Sequence, residues 1–541
     1  MQEVVDKRRY EPPGAFVRFL ERQGLGLSSP RAPTRQDDLT IYWLDLTPLK
    51  VQASHMTPLV ELRALSGEAH ATVTGEEVLA FVDRLKRLRT DRPIGGESRG
   101  YLVLVLGGAL YQVPRQLQDV LKVHQIAVID RKTIEATYRA SFPDEGFAVL
   151  ARGLVRFLGL QLLSPYAIGK PVSGSQFFGR RQALDRILGA VGANFTLYGN
   201  RQIGKTSLMR EVEHRMRLLD SRIRVARMYS SDFNRPEDFL KGIMRQLEPR
   251  FERTRTRSVL KTFAEEVQSI PKKTGHPVAV FLDEFDRIIY LERFEDFRML
   301  EILRAAFNHD ECRVFLAGFR RVREAALETG NPLRNFTRPE EVRALTQDET
   351  TEMIEVPTRR LGIDLRSGEL ATAVFQETSG HPVLVQVFCT VLIDYYDRHK
   401  RVPNTPEFLA RVLGSNTFRD ATTRAFLANT SPFEKLVCYL LIGEALRAEE
   451  GVEDYEFGDD DITRLVGERG QDLRGEEVDA LVSHLLTGGI FSAVPGAGGR
   501  RYEFLIPQLA RDYRNANLEM RIGQAVRDIE SAFDRESALF G

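Results

Sequence analysis

Cysteine is scarce: Cys312, Cys389 and Cys438 are the three in 541 residues. They are far apart, odd in number and without a CxxC pair, so neither a disulfide framework nor a zinc site is expected. That usage fits a reducing cytoplasm, which is the expected location. An excess of either charge is lacking as well, because 76 basic residues balance 76 acidic ones. No overall field draws the chain to nucleic acid or to a membrane; only a local patch could do so. Long apolar runs are missing too. The stretch from Tyr101 to Tyr111 is broken by Gly107 and Gly108 and has about half the length a bilayer span needs. MQEVVDKRRYEPP has no apolar signal core, so neither secretion nor a membrane partner is expected. With 43% apolar and 28% charged residues, the composition excludes intrinsic disorder.

What is present is a chain too long for one hydrophobic core; its length fits about three to five units. Residues 1–165 alternate helical and strand patterns: helices at Ala15 to Arg22, Glu76 to Leu88 and Val113 to Val123, with strands at Leu39 to Asp45, Leu59 to Leu65, Tyr101 to Leu106 and Gln125 to Asp130. This is a small mixed α/β domain. A linker rich in Pro, Gly and Ser follows, at about 166–176. Residues 177–346 carry five short runs, NFTLYG, RIRVARMYS, PVAVFLDE, RVFLAG and EVRAL, separated by helical segments. Strands apolar on both faces belong to a buried parallel sheet, so a doubly wound α/β core is expected. The pattern then turns helical over 347–422. Residues 423–516 read helix, helix, helix, hairpin, the winged-helix order, and a charged amphipathic helix closes the chain over 517–541.

The chemistry concentrates in LYGNRQIGKTSL. Gly199, Asn200, Arg201, Gln202, Ile203, Gly204, Lys205, Thr206 and Ser207 satisfy the phosphate-loop pattern. In that pattern backbone N–H groups wrap phosphates, the lysine meets the β and γ oxygens, and the threonine holds Mg²⁺. NFTLYG is a strand before the loop and SLMREVEHRMRLL a helix after it, as the mechanism requires. Downstream, VAVFLDEFD puts Asp283 and Glu284 at a strand end. Asp283 there can share the Mg²⁺ with Thr206, and Glu284 can orient and deprotonate a water, which favours hydrolysis over passive binding. RVFLAG delivers Arg320 and Arg321 to the same edge, and either could stabilise γ-phosphate charge.

Taken together, these residues resemble the STAND class of signal-transducing P-loop ATPases, within the wider AAA+ relatives. FFGRRQAL resembles that class's N-terminal motif, with Arg181 where the class has glutamate. SGHPVLVQ resembles its Gly-x-Pro sensor. The resemblance implies that Phe178 and Gly179 lie near an adenine, that Arg180 belongs to the same nucleotide site, and that Pro382 contacts the nucleotide from a helical lid. His381 reads as a turn residue rather than a catalyst. It further implies ATP or ADP with Mg²⁺ as cofactors, a closed ADP form, and an open ATP form that is often a homo-oligomer.

The N-terminal order of elements resembles Mrr-type restriction endonucleases of the PD-(D/E)xK fold. That resemblance implies a metal-assisted phosphodiester site at Asp45, Glu61 and Arg63, with Glu21 in support. Arg63 stands where lysine is expected, and a guanidinium is a poor proton acceptor. Glu61 and Arg63 could equally be a cross-strand ion pair. Two basic stretches, 83–92 and 248–261, read as solvated helix faces before they read as nucleic-acid contacts. Three functions stay open: an ATP-driven switch controlling an N-terminal effector or adaptor, with defence against foreign nucleic acid suggested by the layout; a DNA-binding ATPase resembling replication initiators or transposition regulators; and an ATP-regulated nuclease. The trigger could be a partner protein or DNA.

Overall fold

Alternating short apolar runs and longer helices can bury both strand faces only if the strands run parallel with helices on either side. The computed structural model has that arrangement. It describes residues 34–36, 39–44, 57–62, 102–105, 115–123, 126–129, 131–139 and, with short breaks, 149–540. The helices expected over 15–22 and 76–88, with Glu21, lie outside the described residues.

The N-terminal strands form one five-stranded sheet in sequence order: β1 Thr34–Gln36, β2 Leu39–Leu44, β3 Thr57–Leu62, β4 Leu102–Val105 and β5 Ile126–Ile129. β1, β2 and β3 pair antiparallel, then β4 and β5 join in parallel. Helices α1 (Arg115–Val123) and α2 (Arg131–Tyr138) flank β5.

The second sheet holds β6 (Phe195–Tyr198), β7 (Arg224–Tyr229), β8 (Val278–Asp283), β9 (Cys312–Gly318) and β10 (Arg338–Glu341) in the order β10-β6-β9-β8-β7, every pair parallel. All six residues of β8 are buried. Phe195 and Phe281 both sit opposite Phe315, and the rings stack at 6.3 and 4.7 Å between centroids. This ladder fills one face between the central strands. Seven helices alternate with or follow these strands: α3 Arg181–Gly189, α4 Lys205–Leu219, α5 Pro236–Leu247, α6 Val259–Thr274, α7 Asp286–Glu292, α8 Arg298–Phe307 and α9 Arg320–Leu327, with the short α10 (Pro332–Phe336) before β10.

The fifth strand departs from expectation. EVRAL (341–345) is not the strand; β10 is RPEE (338–341), largely exposed. An edge strand buries little, so it needs no apolar pattern and tolerates Pro339. The apolar residues mark where the chain dives under the phosphate loop instead: Val342 N–H donates to Tyr198 O at 2.7 Å, and Leu345 N–H to Gly380 O at 2.9 Å.

Beyond Leu345 come α11 (Gln347–Arg360), α12 (Glu369–Thr378) and α13 (Pro382–His399). α14 (Thr405–Leu413) and α15 (Asn416–Thr422) follow, and α15 runs on through a π turn, Thr423–Leu427. α16 (Pro432–Arg447), β11 (Phe457–Gly458), α17 (Asp459–Gly467), α18 (Gly475–Thr487), β12 (Phe491–Ala493) and β13 (Arg501–Phe504) come next, the three strands pairing as β11-β13-β12. α19 (Gln508–Arg511) and α20 (Leu518–Phe540) end the described chain. No helix among the described residues is long and apolar enough to cross a membrane.

Truncating Phe315, fully buried in the ring ladder, to alanine should cost about 3–5 kcal/mol in the core. A drop in the urea midpoint of that unit, with nucleotide absent, checks it.

Candidate functional site

The turn between β6 and α4 follows from its glycines. At Gly199 a Cβ would sit 2.3 Å from Val342 O, and Gly204 has φ +98°, a left-handed conformation that costs glycine little. Gln202 shares it at φ 55°. The chain then enters α4 with its first N–H groups unpaired, a ready anion site. Lys205 is drawn into the loop, its Nζ donating to Gly199 O at 2.8 Å and Asn200 O at 2.6 Å. Burial pushes its ammonium down to about 8, with Asp283 and Asp286 opposing the shift. An ammonium has three donors, so one remains for a phosphate oxygen. Thr206 Oγ1 donates to Asp283 Oδ2 at 2.5 Å. A hydroxyl and a carboxylate side by side are the hard oxygen pair that Mg²⁺ takes alongside nucleotide phosphates, so these residues fit that ion.

Asp283 N-terminally orients its neighbour, accepting from Glu284 N at 2.9 Å. Glu284 is exposed and held at φ 54°, a strained backbone of the kind that collects at functional sites. Asp286, unremarked in the sequence, accepts from Phe319 N at 2.6 Å and Arg321 N at 3.0 Å. It ties the end of β9 and the first turn of α9 to the acidic strand end.

These groups line one wall of a cavity of about 950 Å³. Phe178, Arg180, Arg201, Gln202, Ser207 and Pro382 line it too, so most of the expected nucleotide contacts converge there. Gly199, Asn200, Ile203 and Gly179 do not face it. The first two supply the carbonyls that hold Lys205, and Ile203 is 2% exposed in the core below. Gly179 gives clearance, since a Cβ would lie 2.8 Å from the Glu349 carboxyl carbon. That carboxylate accepts from Arg180 N while closing a capping box with Thr346 on α11. Arg180 Nη2 donates to Ile203 O, and burial lowers its guanidinium to about 10 against the pull of Glu349. Arg181, where glutamate was expected, pairs with Glu352 of α11 at 2.9 Å. His381 caps α13, its Nε2 3.3 Å from Arg201 O. Burial pushes its imidazole down to about 4, so the ring is neutral and adds no charge near the phosphate end.

Both arginines line the cavity but differ in their partners. Arg321 lies exposed over the Tyr290 ring, 4.2 Å away. Arg320, partly buried in the cavity wall, is ion-paired with Glu434 at 2.5 Å. Glu434 also closes a capping box at the start of α16, accepting from Ser431 N at 2.8 Å. His484 of α18 joins them, with Nδ1 3.2 Å from Glu434 and Nε2 3.4 Å from Glu324 of α9. A ring facing carboxylates on both nitrogens needs both N–H groups, the charged form. Accordingly the hydrogen bonds to Glu324 and Glu434 raise its pKa to about 9 against partial burial. For Glu434, burial pushes the carboxyl up, but His484 and Arg320 outweigh it and its pKa falls. Nearby, Gly489 presses on the phosphate loop, since a Cβ there would meet Asn200 Nδ2 at 2.2 Å, and Ser379 Oγ donates to Leu505 O at 2.9 Å. The α16–α18 region therefore touches the loop, the lid and Arg320 together.

Sequence reading missed Glu324, Glu349, Glu434, His484 and Gly489. Ser-x-x-Glu at 431–434 and Thr-x-x-Glu at 346–349 are visible capping boxes, but the second bond each glutamate makes has no local pattern. Of the nuclease-like residues, Asp45 and Arg63 lie outside the described residues. Glu61 lies in β3, in register between Thr40 and Val105. Among the described residues no group of three or more His, Cys, Asp or Glu side chains could hold a metal. Basic stretch 83–92 and most of 248–261 also lie outside them.

Residues 192–325, about a quarter of the chain, match the family model described as an AAA domain. With the parallel sheet and its loop, the core has the α/β fold of a P-loop NTPase. Comparison with curated proteins gave no match. Among solved structures, the chain is similar to a Walker-type ATPase of Pyrococcus abyssi at 15% identity, covering 64% of this chain and 99% of that one with TM-score 0.46. It is similar to the Aeropyrum pernix ORC2 protein in its ADPNP–ADP complexes at 15% identity, covering 64% and 93% with TM-score 0.44. The A. pernix ORC1 protein in complex with DNA is 16% identical, covering 68% and 95% with TM-score 0.38.

A raised imidazole pKa means the charged form is favoured by the contact. The His484 contribution is therefore complete below its ordinary value of 6.5 and lost as pH rises through about 9. Amide exchange in Gly475–Thr487 should accelerate across that window, and His484→Gln should flatten the pH dependence.

Proposed function

We propose that the chain is an ATP-binding, ATP-hydrolysing switch of the STAND kind, in which the occupant of the phosphate end decides whether the α16–α18 region stays docked. Arg320 carries this reading: it is a cation of the cavity wall that holds the phosphate loop and, at the same time, the ion-pair partner of Glu434. A γ-phosphate is a competing anion for that guanidinium, with more charge than one carboxylate. Only a ligand that distinguishes docked from undocked can shift their balance, and a triphosphate facing Arg320 does so.

For hydrolysis, the loop amides and Lys205 hold the phosphates, Glu284 orients and deprotonates the water that attacks the γ-phosphorus, ADP leaves, and Arg320 stabilises charge on the transferring γ-phosphoryl group. Mg²⁺ held by Thr206 and Asp283 would neutralise phosphate charge. The proposed output is the N-terminal region, reached through residues 171–174, which lie on α4: Arg210 donates to Pro171 O at 3.2 Å, and Val172 N to Ser207 Oγ at 3.2 Å. Tyr166 Oη donates to Met353 O and Ile354 O, both at 3.1 Å, joining the same segment to the lid. An undocked α16–α18 region would free a surface for a second copy, hence a nucleotide-dependent homo-oligomer.

The order of α16, α17, α18 and the β12–β13 hairpin supports a winged helix, which in a DNA-binding ATPase would read a duplex. Against that use, Arg500 pairs with Asp479 and, at 4.0 Å, Asp459, while Arg501 lies 3.6 Å from Asp461. Basic side chains beside the hairpin are already matched by acids. A nuclease-like N-terminal domain remains a further proposal, testable by Mg²⁺-dependent cleavage lost in Glu61→Ala.

Mass measurement with ADP, with a nonhydrolysable ATP analogue and with duplex DNA tests the switch. The expected result is a larger species with the analogue alone, reached at lower analogue concentration by Glu434→Gln. Lys205→Ala should lower hydrolysis at least about 100-fold, the scale of one preorganised donor. Unchanged mass with both nucleotides, together with salt-dependent DNA binding that survives Lys205→Ala, would overturn the switch in favour of the DNA-binding reading.

A further inference from the structure

The cavity lining is of two chemical kinds. Lys205, Thr206, Asp283 and Arg320 are polar, whereas Phe178, Leu345, Met353, Pro382 and Val383 supply an apolar shelf. One side chain on the shelf does not belong to an apolar surface. Gln386 stands one turn into α13, on the face it shares with Pro382 and Val383. The residue is 8% exposed, lines the cavity, and its Oε1 is buried without a hydrogen-bond partner.

A buried amide oxygen without a donor costs about 1–3 kcal/mol. Such a group is retained in a site that is otherwise apolar where a ligand completes it, the usual way a few polar atoms orient a molecule in a greasy pocket. The ligand must then bring a flat apolar body to lie against the shelf and an N–H donor at its edge. A 6-aminopurine has both: a π face and an exocyclic amine beside ring nitrogens that accept. Amides pair with that edge by giving and accepting one hydrogen bond each.

We infer that Gln386 is the base-reading residue of this site, its amide accepting from the 6-amino group of adenine. This deepens the nucleotide-binding reading and rests on it. Specificity follows from the penalty, because a purine lacking the amine leaves Oε1 unpaired.

The test compares ATP with purine riboside triphosphate, which lacks only the 6-amino group, by equilibrium binding to the full chain. In the unaltered protein ATP is expected to bind about 10-fold tighter, within the 1–3 kcal/mol range for a buried polar group. Gln386→Met keeps the stem and volume. It should weaken ATP about 10-fold while leaving purine riboside triphosphate within about twofold, so that the two converge. Equal affinity of the two nucleotides for the unaltered protein would overturn the assignment without any variant. Equal weakening of both by Gln386→Met would also overturn it, as a purely structural effect. Failure of the underlying reading looks different: neither nucleotide would bind, and Lys205→Ala would change nothing.

Discussion

Parallel register across β6, β9 and β8 is the constraint on which the site depends. Tyr198 sits opposite Gly318, and Leu316 opposite Leu282, so three strands end along one edge. The phosphate loop, the Arg320 turn and the acidic pair leave the sheet together. A slip of one residue would move the Phe195, Phe315 and Phe281 rings to the wrong face, and that steric cost holds the register. Core packing thus sets the 2.5 Å approach of Thr206 to Asp283, although neither belongs to the ring ladder.

Around that edge, single groups serve two elements at once. Glu349 caps α11 and anchors the Arg180 backbone. Glu434 caps α16 and holds Arg320. Asp286 begins α7 and receives the first amides of α9. Shared groups of this kind couple neighbouring elements, because moving one element leaves a buried charge or donor in the other without its partner. The cavity is therefore bounded by parts tied to one another through shared groups: the 171–180 segment, the lid and the α16–α18 region.

The electrostatics are arranged for an anion. Lys205, Arg180 and Arg320 converge on a space where burial has already lowered the first two, while His381 is kept neutral. Partly desolvated cations attract a polyanion more strongly than solvated ones. The carboxylates that line the cavity are Asp283, Glu284 and Asp286, whereas Glu349 and Glu434 act on Arg180 and Arg320 from behind its wall.

Local pattern was enough for the phosphate loop, the acidic strand end, the lid helices and the three helices before the hairpin. Their physics is short in range: glycine at left-handed φ, a lysine and threonine at fixed offset, and apolar periodicity. EVRAL misled because apolar pattern reports burial, and here burial came from the underside of the loop rather than from the sheet. That Arg320 rather than Arg321 pairs with Glu434 was equally invisible, since adjacent residues differ only in which way the first turn of α9 points them. So were Glu434 and His484, more than a hundred residues from the helix α9 they meet, and the unpaired oxygen of Gln386. Sequence by itself determined that a phosphate cradle with two acids would form. Tertiary structure alone decided that Arg320 is held by Glu434 while Arg321 lies over Tyr290, and that the Gln386 amide lines the same cavity, because those depend on contacts between segments with no shared local pattern.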